Sequence, residues 1–228
     1  PDNIMVSNGA DESLDIIVKT FVDENSEVIL SVPTYSYYPV LVRLMAGKVK
    51  QVKRNKDFSD NFAAIKNVIG RNTCMVMLCS PNNPTGNLVN PEGLRSLLET
   101  SCAVMIDEAY YEFSGKSLAP LRKSYDNLVI VRTFSKGFSL AGLRVGYTLA
   151  SEKTTSLLNI VRPPNSVGVI SLRLAEIALD NKNLVKENVS KILGERNRCI
   201  AELSKIRGIR VIPTNANFML IRFEKYTG

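Results

Sequence analysis

The chain has 228 residues, of which 45% are hydrophobic and 22% charged, so its composition is that of a globular protein and excludes intrinsic disorder. Its net charge of +7 comes from scattered residues without a long cationic run, which favours an enzyme for anionic ligands over nucleic-acid binding. Histidine is absent, which excludes Ser-His-Asp triads, Cys-His dyads and histidine-ligated zinc.

The cysteines and apolar runs bear on cellular location. No CxxC pair occurs, so we expect reduced core thiols in a cytoplasmic protein and no metal site. The apolar runs stay well short of the roughly 18 residues of a membrane span, and the first residues, PDNIMVSNGADE, lack the features of a signal peptide. We therefore expect no membrane partner.

Strand-like and helix-like segments alternate along the chain. Short β-branched or apolar runs predict strands at residues 27–32, 48–52, 74–79, 103–106, 128–132, 145–149 and 217–222. Amphipathic patterns predict helices at residues 11–24 and 37–45, from Pro91 onward, and at 167–179 and 184–206. This alternation predicts an α/β fold with a mainly parallel sheet flanked by helices. We expect residues 1–208 to form that large domain and residues 209–228 to begin a small C-terminal domain that is incomplete here.

In such a sheet, ligands bind in the loops that follow the carboxyl ends of strands. The string SNGADES (7–13) contains a turn and a helix start, whose free amides at Ala10 and Asp11 suit a phosphate. The alternative is an ordinary helix capped by Asp11. In VPTYSYY (32–38), Tyr35 either stacks on a flat ring or is simply a half-buried tyrosine.

Two further loops contain an amide and a carboxylate. SPNNPTG (80–86) places Asn83 at the apex of a tight turn, where its amide would meet a ligand or merely complete the turn. In IDEAYYEF (106–113), Asp107 follows a buried strand with no Lys or Arg within four positions. A carboxylate there needs a distant cation or a ligand as partner, unless it caps a helix.

The last loop, RTFSKGFSLAGLRVGY (132–147), combines hydroxyl and cationic groups. Its candidates are Thr133, Ser135, Lys136 and Arg144. Hydroxyls and an arginine suit a phosphate, and a lysine amine suits covalent attachment to a carbonyl. We expect Lys136 to be crowded against Phe134 and Phe138; the alternative is a solvated lysine.

Taken in order, these strings resemble the large domain of the fold-type-I pyridoxal-phosphate aminotransferases over essentially the whole chain. The matching series is Asn83, then Asp107-x-x-Tyr110, then Ser135-Lys136, then Arg144. Within that family, the strings are most similar to those of histidinol-phosphate aminotransferases.

The resemblance implies pyridoxal 5′-phosphate as cofactor and Lys136, Asp107 and Tyr110 as catalytic residues. Lys136 would bond to the cofactor and later carry a proton, and Asp107 would keep the ring nitrogen protonated. Tyr110 and Asn83 would hydrogen-bond the ring oxygen, and Tyr35 would stack on the ring.

The resemblance also implies which groups bind the phosphate of the cofactor. Its ligands would be the backbone at Ala10 and Asp11, the hydroxyls of Thr133 and Ser135, and the Arg144 guanidinium.

The implied activity is transamination between a small-molecule amino donor and a 2-oxo acid by a cytoplasmic homodimer. The pair would be histidinol phosphate and 2-oxoglutarate, giving imidazole acetol phosphate and glutamate in histidine biosynthesis. The alternatives are another aminotransferase or a phospho-amino-acid decarboxylase on the same scaffold, a cofactor-binding domain of a transcription regulator, and an inactive fragment. RPPNSV (162–167) departs from the family's Pro-aromatic-Asn-Val pattern, which leaves the substrate open. The family's substrate-carboxylate arginine and its partner-subunit tyrosine are expected outside this chain.

Overall fold

The structure is a computed structural model that describes residues 2–224. Seven strands form one sheet: β1 (Ile4–Ser7), β2 (Glu27–Val32), β3 (Lys48–Lys53), β4 (Thr73–Cys79), β5 (Ala103–Asp107), β6 (Leu128–Thr133) and β7 (Gly146–Leu149). Their spatial order is β1-β7-β6-β5-β4-β2-β3. β7 is antiparallel to both of its neighbours, and the remaining pairs are parallel. The predicted mainly parallel sheet is therefore confirmed.

Within the described residues, five α-helices connect consecutive strands from β1 to β6, and three more follow β7. They are α1 (Gly9–Phe21), α2 (Tyr38–Leu44), α3 (Phe62–Val68), α4 (Pro91–Leu98), α5 (Tyr111–Ser114), α6 (Glu152–Val161), α7 (Val169–Asp180) and α8 (Lys182–Leu203). The sequence patterns miss α3 and α5, which are short, and α6, which buries only Thr155 and Leu158 and so lacks a broad apolar stripe. Within residues 2–224, no helix combines the length and the apolarity needed to cross a membrane.

The sheet is buried on both faces. Side chains alternate along a strand, so Met75 and Met77 of β4 enter one apolar cluster while Val76 and Leu78 enter the other. Helices α1, α2 and α6 cover the first cluster, and α3 and α4 cover the second. Strands that are covered on both faces explain the continuous apolar runs in the sequence.

The two edges of the sheet differ in sequence signal. β3 reads KVKQVK and places several lysines along the exposed edge, a pattern that discourages pairing with another chain. β1 forms the other edge and has only four residues, which is too short for the apolar pattern to reveal.

The C-terminal part differs from the expectation. The predicted strand at 217–222 is wrong in extent: β9 spans only Ile221–Phe223 and pairs antiparallel with β8 (Ile209–Val211) in a separate sheet. Between them the backbone N–H of Asn215 donates to the Gly86 carbonyl at 2.9 Å, so the chain contacts the 80–86 loop before the strand begins. Residues 225–228 of the expected small domain lie outside the described residues, and the domain division at residue 208 stays a prediction.

Candidate active site

A cavity of about 180 Å³ lies where the predicted loops meet. The lining includes all the predicted site residues: Ala10, Asp11, Tyr35, Asn83, Asp107, Tyr110, Thr133, Ser135, Lys136 and Arg144. β6, β5, β4 and β2 are neighbours in the sheet and parallel, so the loops at their carboxyl ends converge. The loops are far apart in sequence, and the order of the strands in the sheet brings them together.

The first part of the lining is the N-terminus of α1. Asn8 occupies the cap position, and its backbone N–H donates to Glu12 Oε2 at 2.6 Å. Helix α1 starts at Gly9, which has a φ of +82°, so Asp11 lies in the first turn and the interpretation of Asp11 as the helix cap is wrong. Because Ala10 and Asp11 lie in the first turn of α1, their backbone N–H groups have no acceptor within the helix. They also lie at the positive end of the helix dipole.

Arg144 lies beside this helix end. Its Nη1 is 3.3 Å from Ser135 Oγ, and its Nη2 is 3.4 Å from Asp11 Oδ2. Ser135 Oγ also accepts a hydrogen bond of 2.9 Å from Thr133 Oγ1. A Cβ on Gly9 would lie 2.5 Å from Arg144 Nη2, so the guanidinium occupies space that only a glycine leaves free. We call this group of the α1 N-terminus, Arg144 and the two hydroxyls the anion cradle.

The anion cradle is held together by backbone contact. A Cβ on Gly146 would lie 2.4 Å from the carbonyl carbon of Gly9, so the start of β7 and the start of α1 touch directly. Arg144, two residues before Gly146, adopts the left-handed conformation with a φ of +53°. Such a conformation is uncommon for a residue with a side chain and requires support from its surroundings.

Asp107 is the last residue of β5 and is only 5% exposed. Tyr38 Oη donates to its Oδ2 at 2.8 Å, and the backbone N–H of Ala109 donates to its Oδ1 at 2.9 Å. The ion pairs formed within residues 2–224 do not include Asp107. Burial raises the pKa of this carboxyl above its ordinary value. Helix α5 begins at Tyr111, so Asp107 does not cap it.

Lys136 does not lie where we expect it. The ring centroids of Phe134 and Phe138 lie 4.6 Å apart, and both rings join an apolar cluster with Ala175 of α7. Lys136, between them in sequence, is exposed. The expected crowding of Lys136 by these two rings is therefore wrong, because both turn into the core. The Lys136 amine instead lies 5.3 Å from the centroid of the Tyr110 ring, at the cavity.

The remaining predicted side chains surround the centre of the cavity. Tyr35 packs edge-on against Tyr38, with ring centroids 5.4 Å apart and an interplanar angle of 84°. Burial raises the pKa of Tyr110 to about 12, so its hydroxyl keeps its proton and can donate a hydrogen bond at neutral pH.

The two adjacent asparagines have different surroundings. Asn82 is completely buried; its Oδ1 accepts from Thr34 Oγ1 at 2.8 Å, and its Nδ2 donates to the Pro33 carbonyl at 3.1 Å. These bonds hold the turn in place. Asn83 is half-buried and lines the cavity, which leaves its amide positioned for a ligand.

The sequence patterns miss four residues at the site. Cys79 and Ala109 line the cavity, Tyr38 bonds to Asp107, and Phe218 packs edge-on against Tyr110 at 5.0 Å. Tyr35 precedes α2, which begins at Tyr38, so the three-residue spacing of the two tyrosines is not a helix-face signal and the sequence does not reveal the role of Tyr38. No local pattern reveals Phe218, which comes from a distant part of the chain.

Comparison with known proteins bears on this arrangement. The family model described as aminotransferase class I and II matches residues 1–225. The chain belongs to this family. The resemblance stated from the sequence motifs is thereby confirmed at the family level, and the fold agrees with it.

Similar proteins include enzymes from bacteria. The histidinol-phosphate aminotransferase of Caldanaerobacter subterraneus subsp. tengcongensis is 38% identical over 226 residues, which cover 98% of this chain and 64% of that protein. The structure of the histidinol-phosphate aminotransferase from Clostridium acetobutylicum has a TM-score of 0.91 at 28% identity, covering 98% of this chain and 68% of that one. The enzyme of the same name from Sinorhizobium meliloti, in complex with pyridoxal-5′-phosphate, has a TM-score of 0.89 at 27% identity, covering 97% and 61%. The present chain thus spans less than two thirds of the length of the Caldanaerobacter subterraneus relative.

The anion cradle generates a first prediction. Gly9→Ala would force a Cβ against Arg144 Nη2 and strain the positive φ, so we expect affinity for pyridoxal 5′-phosphate to fall about tenfold or more. Fluorescence titration measures this loss. Gly194→Ala is the matched control, because a Cβ there meets no atom within 4 Å. Equal affinities of the two variants would contradict the cradle.

The buried carboxylate generates a second prediction. Because the pKa of Asp107 is raised in the fold, its charged form destabilises the cofactor-free protein increasingly as pH rises from about 4, near the ordinary pKa of an aspartate. Asp107→Asn removes the charge and retains partners for Tyr38 and Ala109. We expect its melting temperature to exceed that of the wild type at pH 7 and the difference to shrink near pH 4.

The control for this experiment is Asp126→Asn, which neutralises an exposed aspartate outside the cavity. It should show no comparable dependence of the difference on pH. A melting temperature of Asp107→Asn at or below that of the wild type at pH 7 would refute the prediction.

Proposed function

We propose that this protein is a pyridoxal-phosphate-dependent aminotransferase. The observation that carries the proposal is that a lysine amine, a buried carboxylate without an ion-pair partner in the described chain and an anion cradle line one cavity. Membership of the aminotransferase family and the cofactor in the Sinorhizobium meliloti relative support it.

The donor set fits the cofactor's three chemically distinct parts. The cradle would bind the dianionic phosphate, because a helix N-terminus, a guanidinium and hydroxyls are all donors to anions. Asp107 would pair with the protonated ring nitrogen and so gain the cation that its burial demands. When bound, the cofactor supplies an electron sink for the carbanion that forms at the Cα of the amino donor.

Lys136 is the residue that we assign to the cofactor carbonyl and to proton transfer at Cα. Its exposed amine lies beside the Tyr110 ring, so it can reach both the cofactor and a substrate entering the cavity. The chain contains no histidine, so the base must come from another residue type.

The other residues orient the ring. Tyr110 retains its proton and would donate to the ring oxygen, together with the amide of Asn83. Tyr35 would contact the face of the ring. Asp107 would hold the proton at the ring nitrogen, with its own carboxylate fixed by Tyr38 and Ala109.

For the whole protein, we propose histidinol phosphate and 2-oxoglutarate as the substrates, in a cytoplasmic homodimer. The curated relatives named histidinol-phosphate aminotransferase support this choice, and the net charge of +7 suits anionic substrates. We also propose that residues 1–208 form the cofactor-binding domain and that residues 209–228 begin the small one.

Covalent attachment tests the cofactor chemistry. After incubation with pyridoxal 5′-phosphate and reduction with borohydride, wild-type protein should gain the cofactor's mass, and peptide mapping should place it on Lys136. Lys136→Ala should gain none and lose about 10³-fold or more in turnover, because the general base is removed. Lys116→Ala, which removes an exposed lysine outside the cavity, is the control and should behave as the wild type. Labelling of Lys136→Ala at the wild-type level would disprove the assignment.

A panel of amino donors tests the substrate. The purified protein with cofactor should form glutamate from 2-oxoglutarate fastest with histidinol phosphate, compared with phenylalanine and phosphothreonine. Release of carbon dioxide from phosphothreonine without glutamate formation would instead favour the decarboxylase alternative. Equal rates with phenylalanine would favour an aromatic aminotransferase.

A further inference from the structure

Tyr38 is a fully buried tyrosine that contacts two of the residues proposed to hold the cofactor ring. It is 0% exposed and is the first residue of α2. Its hydroxyl donates to Asp107 Oδ2 at 2.8 Å, and its ring packs edge-on against Tyr35 at 5.4 Å. One side chain thus joins the carboxylate proposed for the ring nitrogen to the aromatic group proposed for the ring face.

The hydroxyl of Tyr38 keeps its proton. Burial, followed by the nearby negative charge of Asp107, raises the pKa of Tyr38 well above its ordinary value. Tyr38 is therefore a donor at all physiological pH values, and Asp107 is the acceptor. A donor of this kind stabilises the charged form of the carboxyl.

Among the groups around Asp107, Tyr38 contributes most to stabilising the charged form of the carboxyl. Burial raises the pKa of Asp107, and the strongest opposing influence is the hydrogen bond from Tyr38, followed by the Ala109 amide. Asp11 and Lys136 act through space more weakly and with opposite signs.

The thiol beside Tyr38 and Asp107 adds no negative charge of its own. Burial raises the pKa of Cys79, whose Sγ donates to the Pro81 carbonyl at 3.2 Å, so this group stays neutral. Tyr35 and Tyr110, the two tyrosines that line the cavity, also have raised pKa values and stay neutral.

We propose that Tyr38 is a positioning residue that keeps Asp107 ionised and oriented for the protonated ring nitrogen of the cofactor. The inference rests on the proposed function, since it concerns how this chain holds that cofactor. Tyr38 acts through Asp107 and does not itself line the cavity. Its loss should therefore change the protonation of the ring nitrogen more than it changes the fold.

The test compares Tyr38→Phe with Tyr37→Phe in the full protein. Tyr37 is adjacent, is half-buried and lies outside the cavity lining, so the control makes the same chemical change. With ¹⁵N-labelled pyridoxal 5′-phosphate, the NMR shift of the ring nitrogen reports its protonation as pH rises. In Tyr38→Phe, we expect the loss of that proton to move about one pH unit lower and cofactor affinity to fall about tenfold. Tyr37→Phe should match the wild type in both measurements.

A double-mutant cycle separates action through Asp107 from simple packing. In an Asp107→Asn background, Tyr38→Phe should leave cofactor affinity unchanged, because the carboxylate on which Tyr38 acts is gone. A tenfold loss that persists in this background would overturn the proposal, as would a Tyr38→Phe variant with the wild-type nitrogen titration.

A second substitution keeps the test valid if Tyr38→Phe does not fold. Replacing Tyr38 by 3-fluorotyrosine retains the ring and hydroxyl but makes the hydroxyl a stronger donor, so the nitrogen titration should move to higher pH. An unchanged or lowered transition would overturn the inference. Failure of the wild type to bind the cofactor at all would overturn the proposed function and this inference with it, whereas normal binding with an unaffected Tyr38 variant would overturn the inference alone.

Discussion

The buried carboxylate of Asp107 is the constraint around which the cavity is organised. A negative charge at the end of a central strand, away from water, is unfavourable unless donors or a cation face it. The fold supplies two donors, Tyr38 and Ala109, from two different segments. Because two hydrogen bonds do not replace full hydration, the carboxyl retains a raised pKa and a capacity to bind a cationic group. The fold thus sacrifices stability at one position to prepare a binding site.

Much of the sheet and the cavity could be predicted from the sequence because both depend on local signals. Strands such as Thr73–Cys79 are largely apolar on both faces, and the turn residues after them mark where they end. Parallel neighbours then bring loops together whatever their separation in the chain. The meeting of Asn83, Asp107 and Lys136 follows from strand order, for which the family resemblance provided the expectation.

The features that could not be predicted depend on tertiary contacts. Nothing near Phe218 indicates that it packs on Tyr110, because that contact depends on the path of the chain after α8. The exposure of Lys136 was missed because hydrophobic neighbours in sequence suggest burial, while Phe134 and Phe138 turn away from the lysine into their own cluster. Short helices such as α3 depend on a cap at Asn61 and on a single fully buried residue, Ile65, which no periodic pattern reveals.

The contact between Gly9 and Gly146 bears on how such a site can diverge among related proteins. The two backbones touch without any intervening side chain, so the distance between the first turn of α1 and the start of β7 is set by main-chain contact at this point. Substitutions in the hydrophobic core that leave this backbone contact intact should therefore preserve the spacing of the anion cradle. The absence of side chains at this contact also makes both glycines sensitive to substitution, because a larger residue at either position would disturb the place where α1 and β7 meet.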